Sequence, residues 1–108
     1  MIKTIAAILI IGCSPALAMD KEAAQNSAVR ILMLQEGYYG ANLKEVRTKI
    51  KSTQYIHGRA TKCENHEGPL WQFHIVSPDP DDATKIIDGY LGLDMNGEPI
   101  CVTIPFLD

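Results

Sequence analysis

Cys63-x-x-His66, with His74 and Cys101 further along the chain, are the residues whose types and spacing could do chemistry. Two thiolates and two imidazoles make a Cys2His2 zinc set, and the two-residue gap in the first pair is ligand-like. The same cysteines can instead join each other. A zinc set of this kind has a second close pair, which is missing here, and an oxidising compartment turns an even pair of cysteines in a small domain into a bridge. Joining them closes a loop of about 39 residues, for which the chain-entropy model gives roughly 4 kcal/mol. That is comparable with the whole stability of a small domain. The expectation is a Cys63–Cys101 disulfide and no metal.

The remaining polar candidates are sparse. Glu64, His66 and Glu67 place carboxylates beside an imidazole, but in a polar turn, Glu64 to Pro69, where they read as a surface cluster. His57 and His74 read as packed or solvated residues on strand faces. There is no Gly-x-Ser-x-Gly, no His-Glu-x-x-His and no Gly-rich phosphate loop, and paired cysteines leave no thiol nucleophile. No catalytic residue and no cofactor are expected, and the chain reads as a non-enzyme.

The elements that carry these residues are clearest at the C-terminal end. Asn96-Gly97 lies between two apolar, β-prone runs, the pattern of a two-residue type I′ hairpin turn. Such a turn sets Met95 against Glu98, Leu93 against Ile100, Leu91 against Val102, Gly89 against Ile104 and Ile87 against Phe106. These residues share one nearly apolar face, while Asp88, Tyr90, Gly92, Asp94, Pro99, Cys101, Thr103 and Pro105 share a mixed, mostly polar one. Leu70 to Ser77 is a strand with Trp71, Phe73 and Ile75 on one side, the natural partners of the hairpin's apolar face. Gln54 to Cys63 reads as the first strand. Ser77-Pro78-Asp79-Pro80-Asp81-Asp82 is a stiff acidic loop, barred from a central strand because proline lacks an N–H.

Upstream, Asp20 to Glu36 reads as a helix with Asp20 as N-cap, a stripe of Ala24, Ala28, Ile31, Leu32 and Gln35, and Gly37 as its stop. The small residues of the stripe let the helix lie close on a sheet, and the apolar run Ile31 to Leu34 reads as buried core, with a partner-binding patch as the alternative. Asn42 and Glu45 form a capping-box-like pair opening a second helix, Leu43 to about Ser52. On it Leu43, Val46 and Ile50 share one face, and Lys44, Arg47 and Lys51 line the neighbouring edge. The order α-α-β-β-β-β predicts an α+β fold: N-terminal helices packed on one face of a four-stranded antiparallel meander.

Residues 1–18 read as a secretory signal of bacterial style. Lys3 supplies the positive end, Ile5 to Gly12 the apolar stretch, and Ala16-Leu17-Ala18 the cleavage site. The stretch is too short to span a bilayer. Leu9-Ile10-Ile11-Gly12-Cys13 also resembles a lipobox, which makes a lipid anchor at Cys13 the minority alternative. The expectation is a periplasmic or secreted single domain, residues 19–108, small enough that a staple helps it.

The whole chain carries 10 basic and 13 acidic residues, a net charge of −3. Their distribution is uneven: Leu43 to Lys62 holds six basic residues and one acid, whereas Glu64 to Asp108 holds nine acids and one lysine. Either the two halves attract each other within the fold, the plainer reading, or the basic half meets an anionic partner. Nucleic acid is not expected as that partner, because the chain is acidic overall, exported and free of a basic-aromatic motif.

From Trp71 to Val102 the chain resembles the PepSY-type domains and related small exported bacterial modules. The pattern is a Trp-containing strand, Trp71-Gln72-Phe73-His74-Ile75-Val76, then a strand Gly89-Tyr90-Leu91-Gly92-Leu93 running into Asp94-Met95-Asn96-Gly97-Glu98. The resemblance implies a non-catalytic binding or inhibitory domain and assigns no functional residue. The functional expectation is an exported protein-binding module, an inhibitor or an immunity protein whose partner is an enzyme or toxin. Its candidate surfaces are Asp79, Asp81 and Asp82 in the acidic loop, the turn Glu64 to Pro69, and the basic edge Lys44, Arg47 and Lys51. An envelope-associated accessory module and a small-ligand binder are the alternatives.

Overall fold

A computed structural model describes residues 19–106, so the signal segment and Cys13 lie outside the described residues. Helix α1 spans Lys21–Met33 and helix α2 Leu43–Arg47. The strands are β1 Ile50–Ile56, β2 Arg59–Ala60, β3 His66–Glu67, β4 Leu70–Pro78, β5 Ile86–Leu93 and β6 Pro99–Val102. The chain is α+β with a four-stranded antiparallel sheet and both helices N-terminal to it. The sheet order is β1-β4-β5-β6, and β2 and β3 form a separate two-stranded hairpin inserted between β1 and β4. Among the described residues no helix is long and apolar enough to cross a membrane.

The helix caps follow from the sequence. Asp20 accepts a hydrogen bond from the Ala23 N–H at 2.8 Å, and Asn42 from the Glu45 N–H at 2.8 Å, while Glu45 reaches back to the Ala41 N–H at 2.7 Å. These satisfy donors that a helix N-terminus leaves orphaned. α1 stops at Met33, three residues before the expected end, and unwinds through short turns into Glu36 and Gly37, both with left-handed backbone.

α2 departs further from expectation. It ends at Arg47, where the Thr48 hydroxyl donates to the Glu45 carbonyl at 2.6 Å, and by Ile50 the chain is already strand. The run Thr48 to Thr53 is rich in β-branched residues, which fit a pleated sheet better than a helix. Lys51 therefore sits in β1 rather than on a helix edge with Lys44 and Arg47. The first strand is correspondingly Ile50–Ile56, not Gln54 to Cys63.

The main core joins Ala24, Ala28, Val29 and Leu32 of α1 and Val46 of α2 to Trp71, Phe73, Ile75, Ile87, Leu91, Leu93 and Ile104. Each large side chain removed from water here contributes about 1.5–3 kcal/mol before entropy is charged against it. Trp71, Phe73 and Ile75 do face the hairpin's apolar side, opposite Leu93, Leu91 and Gly89. The Trp71 indole N–H donates to the Met19 carbonyl at 3.0 Å, so the first described residue is tied to the sheet.

The apolar run at the end of α1 is only partly core, since Leu32 is fully buried but Leu34 is 74% exposed. Tyr39 joins the core from the turn after α1, its hydroxyl donating to the Pro105 carbonyl and its own carbonyl accepting from Lys49 Nζ at 2.8 Å. Burial above all, with the nearby Tyr38 and Asp79, pushes the Tyr39 phenol well above its ordinary pKa. The folded state keeps this proton, whereas the unfolded chain releases it near pH 10. The stability tied to it is complete below about pH 10 and is lost as pH rises beyond that toward the folded pKa. Tyr39→Phe should cost about 1 kcal/mol at neutral pH through the lost hydrogen bond. It should also show a shallower fall of Tm across the alkaline range than the unsubstituted protein, measured by thermal scans at stepped pH.

The hairpin turn differs from the expected two-residue form. The Gly97 N–H donates to the Asp94 carbonyl at 3.0 Å and the Asp94 N–H to the Glu98 carbonyl at 2.9 Å, which encloses the three residues Met95-Asn96-Gly97. Gly97 carries the left-handed φ of +83° that such a loop needs. The Asp94 carboxylate accepts from the N–H groups of Asn96 and Glu98 at 2.8 and 3.0 Å and locks this alternative. Leu93 consequently faces Pro99, not Ile100, and a register shift follows before Gly92 meets Cys101 and Leu91 meets Val102. Ile100 is the extra residue, and it packs with the second cluster rather than the main core.

Candidate interaction surfaces

Cys63 and Cys101 are bonded, with their Cα atoms 5.6 Å apart. A bridged pair offers no thiolates, and among the described residues no group of His, Cys, Asp and Glu is placed to hold a metal ion. The bond runs over the sheet face opposite to that of Phe73 and Leu91. Cys63 lies in the loop of the inserted hairpin, Cys101 on β6 at one sheet edge, and Gly92 of β5 beneath them both. A Cβ at Gly92 would lie 2.6 Å from Cys63 Sγ. Around the bridge Ala60, Leu70, Ile56, Tyr90 and Ile100 form a small second core. The expected polar hairpin face is thus covered at its Cys101 end.

The rest of that face is more open. His74 Nε2 lies 2.6 Å from Asp88 Oδ1, and the His74 ring stacks on Tyr90 at 4.8 Å between centroids. Asp88 remains largely exposed. Next to them Gln72 Nε2 donates to Gln54 Oε1 at 3.4 Å, while Gln72 Oε1 is buried without a hydrogen-bond partner. His66, expected near Glu64 and Glu67, lies 3.9 Å from the Glu64 carboxylate, while Glu67 turns to Arg59 at 3.5 Å. Among the described residues each of these imidazoles is paired with a carboxylate, His66 with Glu64 and His74 with Asp88.

The acidic loop is engaged with its own chain. Asp79 accepts from the Asp81 N–H at 2.8 Å, and the Tyr38 hydroxyl sits 3.4 Å from Asp79 and 3.5 Å from Asp81. Asp82 accepts from the Thr84 hydroxyl at 2.7 Å and the Thr84 N–H at 3.0 Å. The Thr84 hydroxyl, and then its N–H, hold the Asp82 carboxyl below its usual pKa. Partial desolvation, then the negative charges of Asp79 and Asp81, raise the Tyr38 phenol.

The basic half contrasts with this. Arg47 donates to Asn26 Oδ1 at 2.6 Å, Lys49 to the Tyr39 carbonyl, and Arg59 pairs with Glu67. Among the described residues Lys44, Arg47, Lys49, Lys51 and Lys62 make no ion pair. Of the six basic residues of Leu43 to Lys62, Arg59 alone among the described residues forms an ion pair with the acidic half, to Glu67 within the inserted hairpin. The other ion pairs also lie close in sequence or within one strand pair.

An open groove lies at the end of α1, lined by Ile31, Leu34, Pro99 and Phe106 and rimmed by Glu36 and Glu98. The sequence showed only its α1 side, as the alternative reading of Ile31 to Leu34, because Phe106 reads as a strand residue opposite Ile87. An aromatic row joins Tyr55 of β1 to Trp71 of β4 and to His57 just beyond β1, with Tyr55 5.2 Å from Trp71 and 6.0 Å from His57 between centroids. Comparison with known proteins finds no matching family model, no matching curated protein and no matching solved structure.

Proposed function

We propose that this chain is a small exported, non-catalytic binding module that masks another protein, as an inhibitor of a hydrolase or an immunity protein against a toxin. The observation that carries the reading is the set of cations on α2 and β1 left without ion-pair partners in a chain whose net charge is negative. Keeping like charges together in one stretch of the chain costs stability through self-repulsion and gives complementarity to an anionic surface in return. The disulfide supports an oxidising compartment, and a stapled sheet supplies the rigid frame that a blocking surface needs. In this reading the helices cover one face of the meander, and the basic segment beside them meets acidic side chains of the partner.

The test is affinity capture by the oxidised protein from a concentrated periplasmic and secreted extract, followed by mass spectrometry and an activity assay of what is retained. The expected result is one stoichiometric enzyme or toxin, inactive in the complex. Charge reversal at Lys44, Arg47 and Lys51 together should weaken that complex by about tenfold or more, through a slower, more salt-dependent association. Reversal at Asp79, Asp81 and Asp82 should leave it intact; the opposite pattern moves the interface to the acidic loop. No retained partner at concentrations where micromolar complexes survive sinks the reading.

A further inference from the structure

The two edges of the main sheet are finished differently. β6 is four residues long, starts at Pro99, bulges at Ile100 and is held by the disulfide at Cys101. Proline, bulges and short length are the devices that stop an edge from pairing further. β1 is seven residues long and, among the described residues, has β4 as its only neighbour. Its protection, Lys51 and a bulge between Ile50 and Ser52, is confined to one end. Beyond it, Ser52 to Ile56 runs in unbroken register against β4.

The hydrogen bonds fix which groups that edge presents. In an antiparallel ladder, residues alternate between bonding their neighbour and pointing away. The Gly68 N–H donates to the Gly58 carbonyl at 2.7 Å, and the pairs Ile56↔Leu70, Gln54↔Gln72 and Ser52↔His74 continue the same register. Even-numbered residues therefore bond β4, and the backbone N–H and C=O of Thr53 and Tyr55 point outward. At the other end, the Val76 N–H donates to the Lys49 carbonyl at 2.9 Å, and with the intervening bulge this gives the same phase. Tyr55, 47% exposed, stands beside this open stretch.

We infer that β1 is a docking edge, and that its occupant is an extended acidic segment of another protein, added to the sheet as a fifth strand. The inference rests on the protein-binding reading above and names its site. The incoming main chain bonds the outward groups of Thr53 and Tyr55, which supplies affinity without sequence demand. Its carboxylates meet the cations that precede and begin the strand, Arg47, Lys49 and Lys51. Charge disfavours a second copy of this chain as the occupant, since a β1 strand offers no carboxylate to the lysines of another: Glu45 is the only acid between Leu43 and Lys62.

The test uses the oxidised protein and three end-blocked octapeptides: alternating Glu-Thr, alternating Lys-Thr, and Glu-Thr N-methylated at every second residue. Binding is read from amide chemical shifts. The Glu-Thr peptide should shift the amides of Thr53 and Tyr55 most, and the Lys-Thr peptide should leave them in place. N-methylation on the residues that face β1 should weaken binding by about tenfold, the worth of two or so backbone hydrogen bonds. Thr53→Pro removes an outward N–H at an edge position where proline is tolerated, and should weaken binding similarly while the amides of β4 and β5 keep their shifts. The peptides leave the protein unaltered, so the result stands even if that variant folds poorly. Equal affinity of the methylated peptide, or no shift at Thr53 and Tyr55 with millimolar Glu-Thr peptide, overturns the docking edge. Either failure leaves the capture experiment untouched, since a partner seated on another surface would still be retained there.

Discussion

Replacing Cys63 and Cys101 together by alanine is expected to lower the unfolding free energy by about 4 kcal/mol, the loop-closure entropy returned to the unfolded chain over a separation of 38 residues. Stabilities of small domains run from about 5 to 15 kcal/mol, so the variant should lose a large share of its margin. The loss should also have a location. The inserted hairpin has two residues in each strand, one exposed ion pair between Arg59 and Glu67, and a few apolar contacts around Ala60 and Leu70. Among the described residues nothing else fastens it across the sheet. Hydrogen exchange in the variant should therefore show residues 59–67 close to unprotected while β4 and β5 remain slow. Denaturant melts give the global figure and exchange gives the local one. A drop well under 1 kcal/mol, with the insertion still protected, would mean that the second core holds the hairpin without the bridge.

The second large effect belongs to Gly92. Its Cβ would lie 2.6 Å from Cys63 Sγ and 3.4 Å from Cys101 Sγ, under a bridge that is held at both ends. In the oxidised protein Gly92→Ala should cost about 2 kcal/mol, the range of an overpacked core. In the Cys63→Ala, Cys101→Ala background the insertion is free to rise. There the same substitution should be close to neutral or slightly stabilising, because alanine in a strand avoids roughly 0.5 kcal/mol or more of glycine's entropic penalty. The four proteins form a double-mutant cycle, and the expected coupling between position 92 and the bridge is about 2 kcal/mol. Equal cost in both backgrounds would show that the backbone at Gly92, not the sulfur above it, resists a side chain.

What the sequence made legible, and what it hid, divides by the range of the forces involved. Caps are local, so Asp20 and Asn42 could be read directly. The alternation of Trp71, Phe73 and Ile75 marks a buried strand face wherever that strand lies. The cysteine pair was equally plain, but its path over the sheet face was not, because it depends on an insertion whose strands are too short to show a period. The hairpin holds a subtler lesson. Asn96-Gly97 points to a two-residue turn, yet the Asp94 carboxylate organises a three-residue one, and the resulting one-residue offset is cancelled at Ile100. The pairing of Leu91 with Val102 emerges as expected from two departures of opposite sign. Among the candidate surfaces, the basic run Lys44 to Lys62 was visible as composition. That all of its cations but Arg59 lack ion-pair partners among the described residues, and that Lys51 belongs to an edge strand, are properties of the assembled sheet.

The bridge also changes what pulling on the molecule can do. From Cys63 to Cys101 the chain is a covalent ring, and β4 and β5, the two central strands, lie wholly inside it. Tension applied from the C-terminal side can peel the chain only back to Cys101 before it passes through the sulfur atoms to Cys63, bypassing the middle of the sheet. A machine that unfolds its substrate by threading from that end would have to swallow two strands side by side. Until a reductant opens the ring, the centre of this sheet is mechanically shielded from its own tail.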